Sequence, residues 1–416
     1  MMELISDAAL LWASFERLVA GIPRFLIFAT AAYVILYFTT LALVVGVHRH
    51  WWRVAWFRRL FYWQFPLALL GAVFRVLSRY YDVPWLWAIG TSLFSALTLY
   101  LGAFFIAILL LTPVVLGVLL YDRLRQGGAE EPNSFERRRF LSRGLAVVPA
   151  LGAVSVSHGI YTSYTRTRMP VVPLRYADLP ADLEGLKILH LSDMHIGPYI
   201  QLADLEALLA RAAQAAPDLI AITGDVCDHN PDYLATLRLI ESVPTRLGSY
   251  ASLGNHEYMR GIRRIRRHFD QTAIPLLVNE GLAVPVGAAT LYLGGVDDPR
   301  FLRNPASYAQ LRHSVEQAVS ASPSDAFTVL LSHRSQALDY AAPLGGTDLI
   351  LAGHTHGFQL GMAGRSFFEP FFPERYIWGH YEKGTTQLYT TAGVGHWLPF
   401  RFGCPPEAPI ITLHRA

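Results

Sequence analysis

Long apolar runs fill roughly the first 160 residues of the chain, whereas shorter ones alternate with polar segments after that point. The run from Phe25 to Val47 has no charged residue and exceeds the about 20 residues that a helix needs to cross a bilayer. Further runs at 60–77, 93–121 and 140–161 predict three more spans. The stretch containing the third run begins at Trp85, so one tilted helix or a tight hairpin would fit it. We predict an all-α transmembrane region over residues 1–161.

Arginines between the apolar runs predict how the spans are oriented. The loop 48–59 contains four arginines and the loop 122–143 contains six. Because basic loops stay on the cytoplasmic side, an even number of crossings must separate these two loops. A single helix over 85–121 meets this condition, so we predict four spans with the C-terminal part outside. The segment Arg137–Leu141 (RRRFL) is either a twin-arginine export signal, which it resembles, or an ordinary basic cluster of a cytoplasmic loop, and both interpretations place the following part on that same side.

Strand and helix patterns alternate after a proline-containing linker, which we predict at 162–186. Short apolar runs bounded by polar residues are typical of buried strands. We predict a helix at 202–216 and strands at 187–192, 219–223, 249–253, 290–296, 328–332 and 349–352. All of these strands except 290–296 end beside a polar side chain that can bind metal. Since ligands collect at the carboxyl ends of strands in α/β sheets, we expect these side chains to converge.

The side chains at these strand ends are carboxylates, imidazoles and one amide, with no cysteine thiolate proposed as a ligand. They are Asp193, His195, Asp225, Asp228, Asn255, His256, Glu257, His333, His354 and His356. Such a set suits Mn, Fe or Zn. Two such ions can clamp a phosphoryl group and hold a bridging hydroxide as the nucleophile. The set is therefore compatible with a two-metal centre that acts on phosphate esters.

The motif series D-x-H, G-D-x-x-D, G-N-H-[DE], H and G-H-x-H appears in this order over residues 187–360 and resembles the calcineurin-like metallophosphoesterase family. The resemblance implies a four-layer αββα sandwich over 187–416. It also implies that Asp225 bridges two ions. The remaining ligands divide into a first-metal group, Asp193, His195 and His356, and a second-metal group, Asn255, His333 and His354.

The resemblance also implies roles around the metals. His256 is the expected catalytic residue, which stabilises the phosphoryl transition state or protonates the leaving oxygen. Glu257 is expected to orient His256 or balance its charge, and Asp228 to support the site. Arg334 is a candidate for bidentate contact with substrate phosphate. The sequence departs from the family pattern with glutamate at position 257 and with Phe358 where a second glycine is often found.

The tail 393–407 resembles the bacterial membrane-anchored branch of the family, in which several spans precede this domain. In this tail, His396 and Arg401 are either phosphate contacts or ordinary loop residues. Cys227 and Cys404 are either a disulfide or two small buried side chains. We therefore expect an integral protein of a bacterial inner membrane, with the catalytic domain on the extracytoplasmic side.

Composition narrows the possible partners. The chain is 52% apolar and 16% charged with a net charge of +3. The C-terminal half has no basic stripe with interleaved aromatics, so nucleic-acid binding is not expected. No protein partner is evident. We expect hydrolysis of a phosphomonoester, phosphodiester or pyrophosphate, and anchoring favours a lipid-linked substrate. The alternative is a non-catalytic membrane sensor or transporter-like protein whose soluble domain binds metal or a phosphorylated ligand.

Overall fold

The computed structural model describes residues 24–81, 83–125, 147–197, 199–396 and 398–416. The chain divides into two compact units, Met1–Ile160 and Tyr161–Ala416. The arginines of the RRRFL segment and the first part of the fourth apolar run lie outside the described residues.

The described part of the first unit is helical. Its helices are α1 (Arg24–Gly46), α2 (Arg49–Trp52), α3 (Ala55–Tyr81), α4 (Pro84–Arg125) and α5 (Val147–Ser163), the last of which ends beyond the unit boundary. Among the described residues, three helical segments are long and apolar enough to cross a membrane: Leu26–Gly46, Ala55–Ser78 and Trp85–Val118. The run that begins at Trp85 forms one continuous helix rather than a hairpin. Because α5 starts after an undescribed segment, four spans stay a prediction.

Aromatic packing and a close helix crossing hold α1, α3 and α4 together. Tyr37 in α1 is buried and its hydroxyl donates to the carbonyl of Phe61 in α3 at 3.2 Å. Gly71 of α3 and Gly90 of α4 face each other so closely that a Cβ on Gly71 would lie 2.9 Å from the Gly90 carbonyl oxygen. Small residues allow such a backbone approach between helices in a membrane.

Two β-sheets form the centre of the second unit. The first has the order β1-β13-β2-β3-β4, with β1 (Val171–Tyr176), β13 (Ile410–Arg415), β2 (Lys187–Leu191), β3 (Leu219–Thr223) and β4 (Ser249–Ser252). The second has the order β11-β12-β8-β7-β6-β5, with β11 (Gly379–Lys383), β12 (Thr386–Thr390), β8 (Leu349–Ala352), β7 (Phe327–Leu331), β6 (Ala289–Gly295) and β5 (Glu280–Val286). Strands β2, β3 and β4 are parallel, as are β6, β7, β8 and β12. A short hairpin, β9 (Gly361–Met362) and β10 (Arg365–Ser366), lies apart from both sheets.

Helices cover the outer face of each sheet. The inner faces share one apolar core, to which Ile188 and Leu219 of the first sheet and Val329 and Leu349 of the second contribute. The first sheet packs against α6 (Leu202–Gln214), α7 (Tyr233–Glu241) and α9 (Ile262–Phe269), whereas the second packs against α10 (Pro305–Val319) and α11 (Ala337–Leu344). The short helix α8 (Asn255–Arg260) follows β4. This arrangement confirms the predicted αββα sandwich.

The predicted linker 162–186 differs from the observed structure, because it contains β1. Strand β1 pairs in parallel with β13 at the other end of the chain, a partner that no local pattern reveals. Pro173 is tolerated there because β1 is an edge strand, in which a missing N–H need not break the ladder. Cys227 and Cys404 are both free and buried, so the disulfide alternative is wrong.

Candidate metal centre

All seven predicted metal ligands lie at one edge of the two sheets, in the loops that follow β2, β3, β4, β7 and β8. Parallel strands end at the same edge, so their terminal side chains meet although the sequence separates them. The backbone N–H of His354 donates to Asp193 Oδ2 at 2.9 Å, which ties the loop after β8 directly to the loop after β2.

The first group consists of Asp193, His195 and His356, whose ligand atoms lie within 4.8 Å of one another. His356 Nε2 is 3.3 Å from Asp193 Oδ1 and 3.2 Å from His195 Nε2. All three residues are buried. Three lone-pair donors thus face one small space, which is the arrangement that a cation requires.

The second group surrounds the carboxylate of Asp225. His333 Nε2 lies 3.2 Å from Asp225 Oδ2 and 3.1 Å from Asn255 Oδ1. His354 Nδ1 lies 3.2 Å from His333 Nε2. Asp225 Oδ2 also lies 3.7 Å from His195 Nε2 in the first group, so this one oxygen is positioned between the two groups.

For His195 and His333, a hydrogen bond at Nδ1 fixes which nitrogen of the ring faces the centre. His333 Nδ1 donates to the carbonyl of Thr223 at 2.8 Å, and His195 Nδ1 donates to Asp228 Oδ2 at 3.2 Å. The Nε2 lone pair of each ring is therefore directed at the proposed metal positions. Such outer hydrogen bonds orient metal-binding histidines and increase their basicity.

Five of the seven proposed ligands have backbone φ angles in the left-handed region. These are Asp193, His195, Asp225, His354 and His356, with φ between 47° and 70°. A residue other than glycine in this conformation costs on the order of 1–3 kcal/mol and is uncommon outside functional sites. Their concentration at one edge of the fold is an observation independent of the motifs.

His256 lies beside the ligands without belonging to either group of the seven. Its Nδ1 donates to Asp228 Oδ1 at 2.6 Å, and its Nε2 is 4.0 Å from Asp225 Oδ2. The side chain is 24% exposed, so Nε2 can meet a substrate. Arg260 Nη2 also donates to Asp228 Oδ1 at 3.0 Å. Asp228 therefore holds His195 and His256 together, a role that sequence reasoning gave only in general terms.

Glu257 does not orient His256, contrary to the expectation from the sequence. Its carboxylate accepts hydrogen bonds from the backbone N–H groups of Asp225, Val226 and Gly254 at 2.8–2.9 Å and from the Tyr233 hydroxyl at 3.0 Å. It therefore braces the loops after β3 and β4, and Asp228 is what orients His256. The expectation failed because consecutive residues on a helix point in different directions.

Arg334 is engaged by protein groups rather than free for a bidentate phosphate contact. Its Nε donates to Asp298 Oδ2 at 2.6 Å, its Nη2 donates to Asp298 Oδ1 at 3.3 Å, and its Nη1 is in very close contact with His354 Nε2. The side chain is 8% exposed. Arg334 thus links Asp298 to His354 and supports the histidine.

In the tail 393–407, the side chains of Arg401 and His396 are buried in the protein. Arg401 is fully buried, and its guanidinium donates to backbone carbonyls including that of Ala392 at 2.8 Å. Its Nη2 is 3.5 Å from His356 Nδ1. His396 is buried between the rings of Tyr164 and Tyr199. The phosphate-contact alternative is therefore wrong for Arg401, whose donors are directed at the backbone.

Burial and charge set the protonation of the histidines in the metal-free centre. Burial keeps the pKa of His354 and of His356 well below the ordinary value, so both are neutral and able to bind metal. Burial also lowers the pKa of His333, but the carboxylates of Asp225 and Asp193 outweigh it and raise the pKa to about 10. For His256, burial is likewise outweighed by Asp225 and Asp228, which raise its pKa to about 9.

Comparison with known proteins agrees with this geometry. Residues 186–358 match the calcineurin-like phosphoesterase family. They form a calcineurin-like phosphoesterase domain. The matched segment contains all seven proposed ligands and ends just after the G-H-x-H motif.

Several proteins with the same kind of domain resemble the chain more widely. An uncharacterized metallophosphoesterase of Helicobacter pylori is 30% identical over 61% of this chain and 66% of its own length. The uncharacterized metallophosphoesterase YkuE of Bacillus subtilis is 28% identical over 67% of this chain and 97% of its own length. A transmembrane protein with metallophosphoesterase domain from Danio rerio is 28% identical over 64% of this chain and 61% of its own length.

The donor set of the phosphoesterase domain fits divalent cations. The groups comprise imidazoles, carboxylates and one amide oxygen, all of which are ligands for first-row transition metals. For His333 and His195, the nitrogens that face the centre are those left free by the outer hydrogen bonds to Thr223 and Asp228. The residues that sequence reasoning missed, Tyr233 and Arg260, lie outside the recognised motifs and touch the site only through other side chains.

Proposed function

We propose that this chain is a membrane-anchored phosphoesterase that uses two divalent metal ions to hydrolyse a phosphomonoester, phosphodiester or pyrophosphate. Asp193, His195 and His356 would hold the first ion, while Asn255, His333 and His354 would hold the second, with Asp225 between them. The observation that carries the proposal is the position of His256. It lies next to both groups, is oriented by Asp228 and is accessible to a ligand.

The bound ions would polarise the phosphoryl group and make water nucleophilic at neutral pH. Mn²⁺ is the first choice, with Fe or Zn as alternatives. The protein's own contribution is to keep His354 and His356 neutral and to present the Nε2 of His256. A protonated His256 can donate from Nε2 to the leaving oxygen while Asp228 holds Nδ1, as a general acid requires.

The location of the chain bears on its substrate. Three described segments are long and apolar enough to cross a membrane, and we propose a bacterial inner membrane with the phosphoesterase domain on the extracytoplasmic side. A tethered site samples the bilayer surface, so we propose a lipid-linked phosphate ester as the physiological substrate.

The proposal is tested by assaying the purified full-length chain with bis-p-nitrophenyl phosphate while Mn²⁺ is titrated. We expect Mn-dependent cleavage, which His256→Ala should reduce by a factor of about 10²–10⁴ without loss of bound metal. Asn255→Ala should lower both metal content and activity. His313→Ala is a matched control, because this histidine is 68% exposed on α10.

Full activity in both site variants would refute the assignment. Stoichiometric metal binding without cleavage of phosphomonoester, phosphodiester or pyrophosphate substrates would instead favour the non-catalytic sensor.

A further inference from the structure

Six large apolar side chains are exposed on segments that begin at or are tied to the metal centre. We call this set the rim; it comprises Met259, Phe301, Met362, Phe367, Phe371 and Phe372. Phe371 is 73% exposed and Met362 is 68% exposed. Four of the six lie on the one segment 358–376, and large apolar side chains exposed together on a loop indicate an interaction surface.

Each segment of the rim is linked to a residue of the centre. Met259 lies four positions after Asn255 on α8, so it sits about one turn further along the same helix face. The loop that carries Phe301 is held by Arg334, whose Nη2 donates to the carbonyl of Arg300 at 3.1 Å. The rim segments therefore belong to the surroundings of the metal centre.

The segment 358–376 contributes the other four rim residues and starts two positions after His356. It rests on a packed aromatic base, in which the ring centroid of Phe358 is 5.4 Å from that of Phe368 and 6.1 Å from that of Phe372. It returns to the centre at Arg375, whose carbonyl accepts from the Ser335 hydroxyl at 2.5 Å. Phe371 and Met362 project from this supported loop rather than packing into it.

Arginines accompany the apolar side chains. The Arg300 and Arg303 guanidinium carbons lie 5.2 and 4.9 Å from the Phe301 ring centroid, and that of Arg375 lies 5.1 Å from the Phe372 ring centroid. Helix α9, which follows α8 directly, adds four exposed arginines, at positions 263, 264, 266 and 267. Arginines thus lie beside two of the rim rings, and the segment 358–376 also carries Glu369 and Glu374.

We infer that the rim docks on the surface of an anionic bilayer, with Phe371 and Met362 in the interfacial layer and the arginines against lipid phosphates. Aromatic and arginine side chains together suit this layer, where an apolar body is buried while a polar or charged end stays hydrated. The occupant is a membrane rather than a protein because the same chain carries three segments able to span one. The inference deepens the proposed function, on which its consequence for lipid-linked phosphate esters rests.

The docking itself is tested with full-length protein in lipid nanodiscs. The variant Phe371→Cys is labelled with an environment-sensitive fluorophore, because the native Cys227 and Cys404 are buried, which raises the pKa of each thiol to about 12 and leaves them unreactive. The matched control is Ala288→Cys, at an exposed turn that precedes β6 and so lies at the opposite edge of the sheet.

We expect the label at position 371 to shift to the blue and to be quenched by spin-labelled lipids in nanodiscs containing phosphatidylglycerol. The label at position 288 should remain exposed to water. Replacing Arg300 and Arg303 with glutamine should weaken the anionic-lipid dependence by about fivefold for each arginine. Equal exposure at positions 371 and 288 in anionic nanodiscs would overturn the inference. Shielding at position 371 that appears equally in lipid-free amphipol, with a dimer in solution, would overturn it in favour of a second copy.

An activity measurement separates this inference from the proposed function. The variant Met362→Ser/Phe371→Ser should cleave soluble bis-p-nitrophenyl phosphate within about twofold of wild type, because neither residue is a proposed ligand, but should cleave a phosphorylated lipid in nanodiscs about tenfold more slowly. Equal rates on the lipid would overturn the inference. If wild type cleaves no ester at all, the proposed function fails while the fluorescence result still decides docking.

Discussion

Replacing Asp228 with asparagine tests how strongly the centre depends on one carboxylate that binds no metal in our assignment. Its two oxygens accept from His195 Nδ1 at 3.2 Å and from His256 Nδ1 at 2.6 Å. Asparagine has nearly the same shape, but it offers one acceptor oxygen and one NH₂ donor. Only one of the two histidines can then keep its bond, and the other must turn or change tautomer. Either change moves the Nε2 of His195 away from the proposed metal position, or the Nε2 of His256 away from the substrate.

The expected loss follows from this geometry. Removing an outer partner of a metal-binding histidine reduces metal affinity or activity by about 10–100-fold, which corresponds to about 1.4–2.7 kcal/mol of transition-state stabilisation. The pKa of His256 should also fall, because Asp228 is one of the two carboxylates that oppose the effect of burial and raise it to about 9. If His256 acts as the acid, the loss of activity at high pH should then begin at a lower pH.

The assay measures kcat and KM for bis-p-nitrophenyl phosphate from pH 6 to 10, together with bound manganese by mass spectrometry. Asp232→Asn is the matched control. Its carboxylate accepts from His229 Nδ1 at 2.8 Å, but both side chains are about one-third exposed, so we expect activity within about twofold of wild type. A kcat, metal content and pH profile of Asp228→Asn that all match the Asp232→Asn control would refute this reasoning.

Four further predictions concern metal binding and stability. The pKa of His333 is raised to about 10, so binding of Mn²⁺ at pH 7.5 should release at least one proton per chain. Titration calorimetry in buffers of different ionisation enthalpy measures this release, and no release would contradict the prediction. In the metal-free chain, the pair of His333 with Asp225 should stabilise the fold fully below pH 6.5, and this stabilisation should be lost as the pH rises through about 10. Thermal unfolding measures it, and unchanged stability between these pH values would exclude the contribution of the pair. Gly353→Ala should lose metal, because a Cβ there would collide with Ser192 Oγ and Asp193 Oδ2, whereas Gly102→Ala in open space should not; equal metal content in the two variants would argue against it. Glu257→Gln should lower the free energy of unfolding by about 3 kcal/mol, because the amide cannot accept from all four donors around it; denaturant unfolding in detergent measures this, and a loss below 1 kcal/mol would count against the bracing role.

The proposed ligands could be brought together from the sequence because each follows a strand whose ends are visible there. Strands β3 and β8 were predicted with the observed bounds, since every residue of Leu219–Thr223 and of Leu349–Ala352 is buried and a glycine follows closely in each case. Parallel strands that are buried on both faces read as continuous apolar runs. Strands β1 and β11 were not predicted, because each is an edge strand with exposed positions and its partner is visible only in the folded chain.

The supporting contacts could not be predicted from the same pattern. Asp298 reaches Arg334 from 36 positions away, and Arg401 reaches His356 from 45 positions away. Both are single side chains in loops, without a periodic signal. Glu257 lies next to His256 in sequence, yet it braces a different loop because the helix turns it away from its neighbour.

The strained ligand backbone explains why such distant contacts belong to the site. The left-handed conformations of Asp193 and His195 persist only if the surroundings hold them. Their backbone N–H groups donate to the carbonyls of Gly224 and Asp225 at 3.1 and 3.0 Å, so the loop after β2 is fixed against the loop after β3. Glu257 fixes that second loop in turn through the N–H groups of Asp225 and Val226. The strained loop that supplies the proposed first-metal ligands is thus held in place, through the loop after β3, by a buried carboxylate on α8, so Glu257 supports the centre without being a proposed ligand.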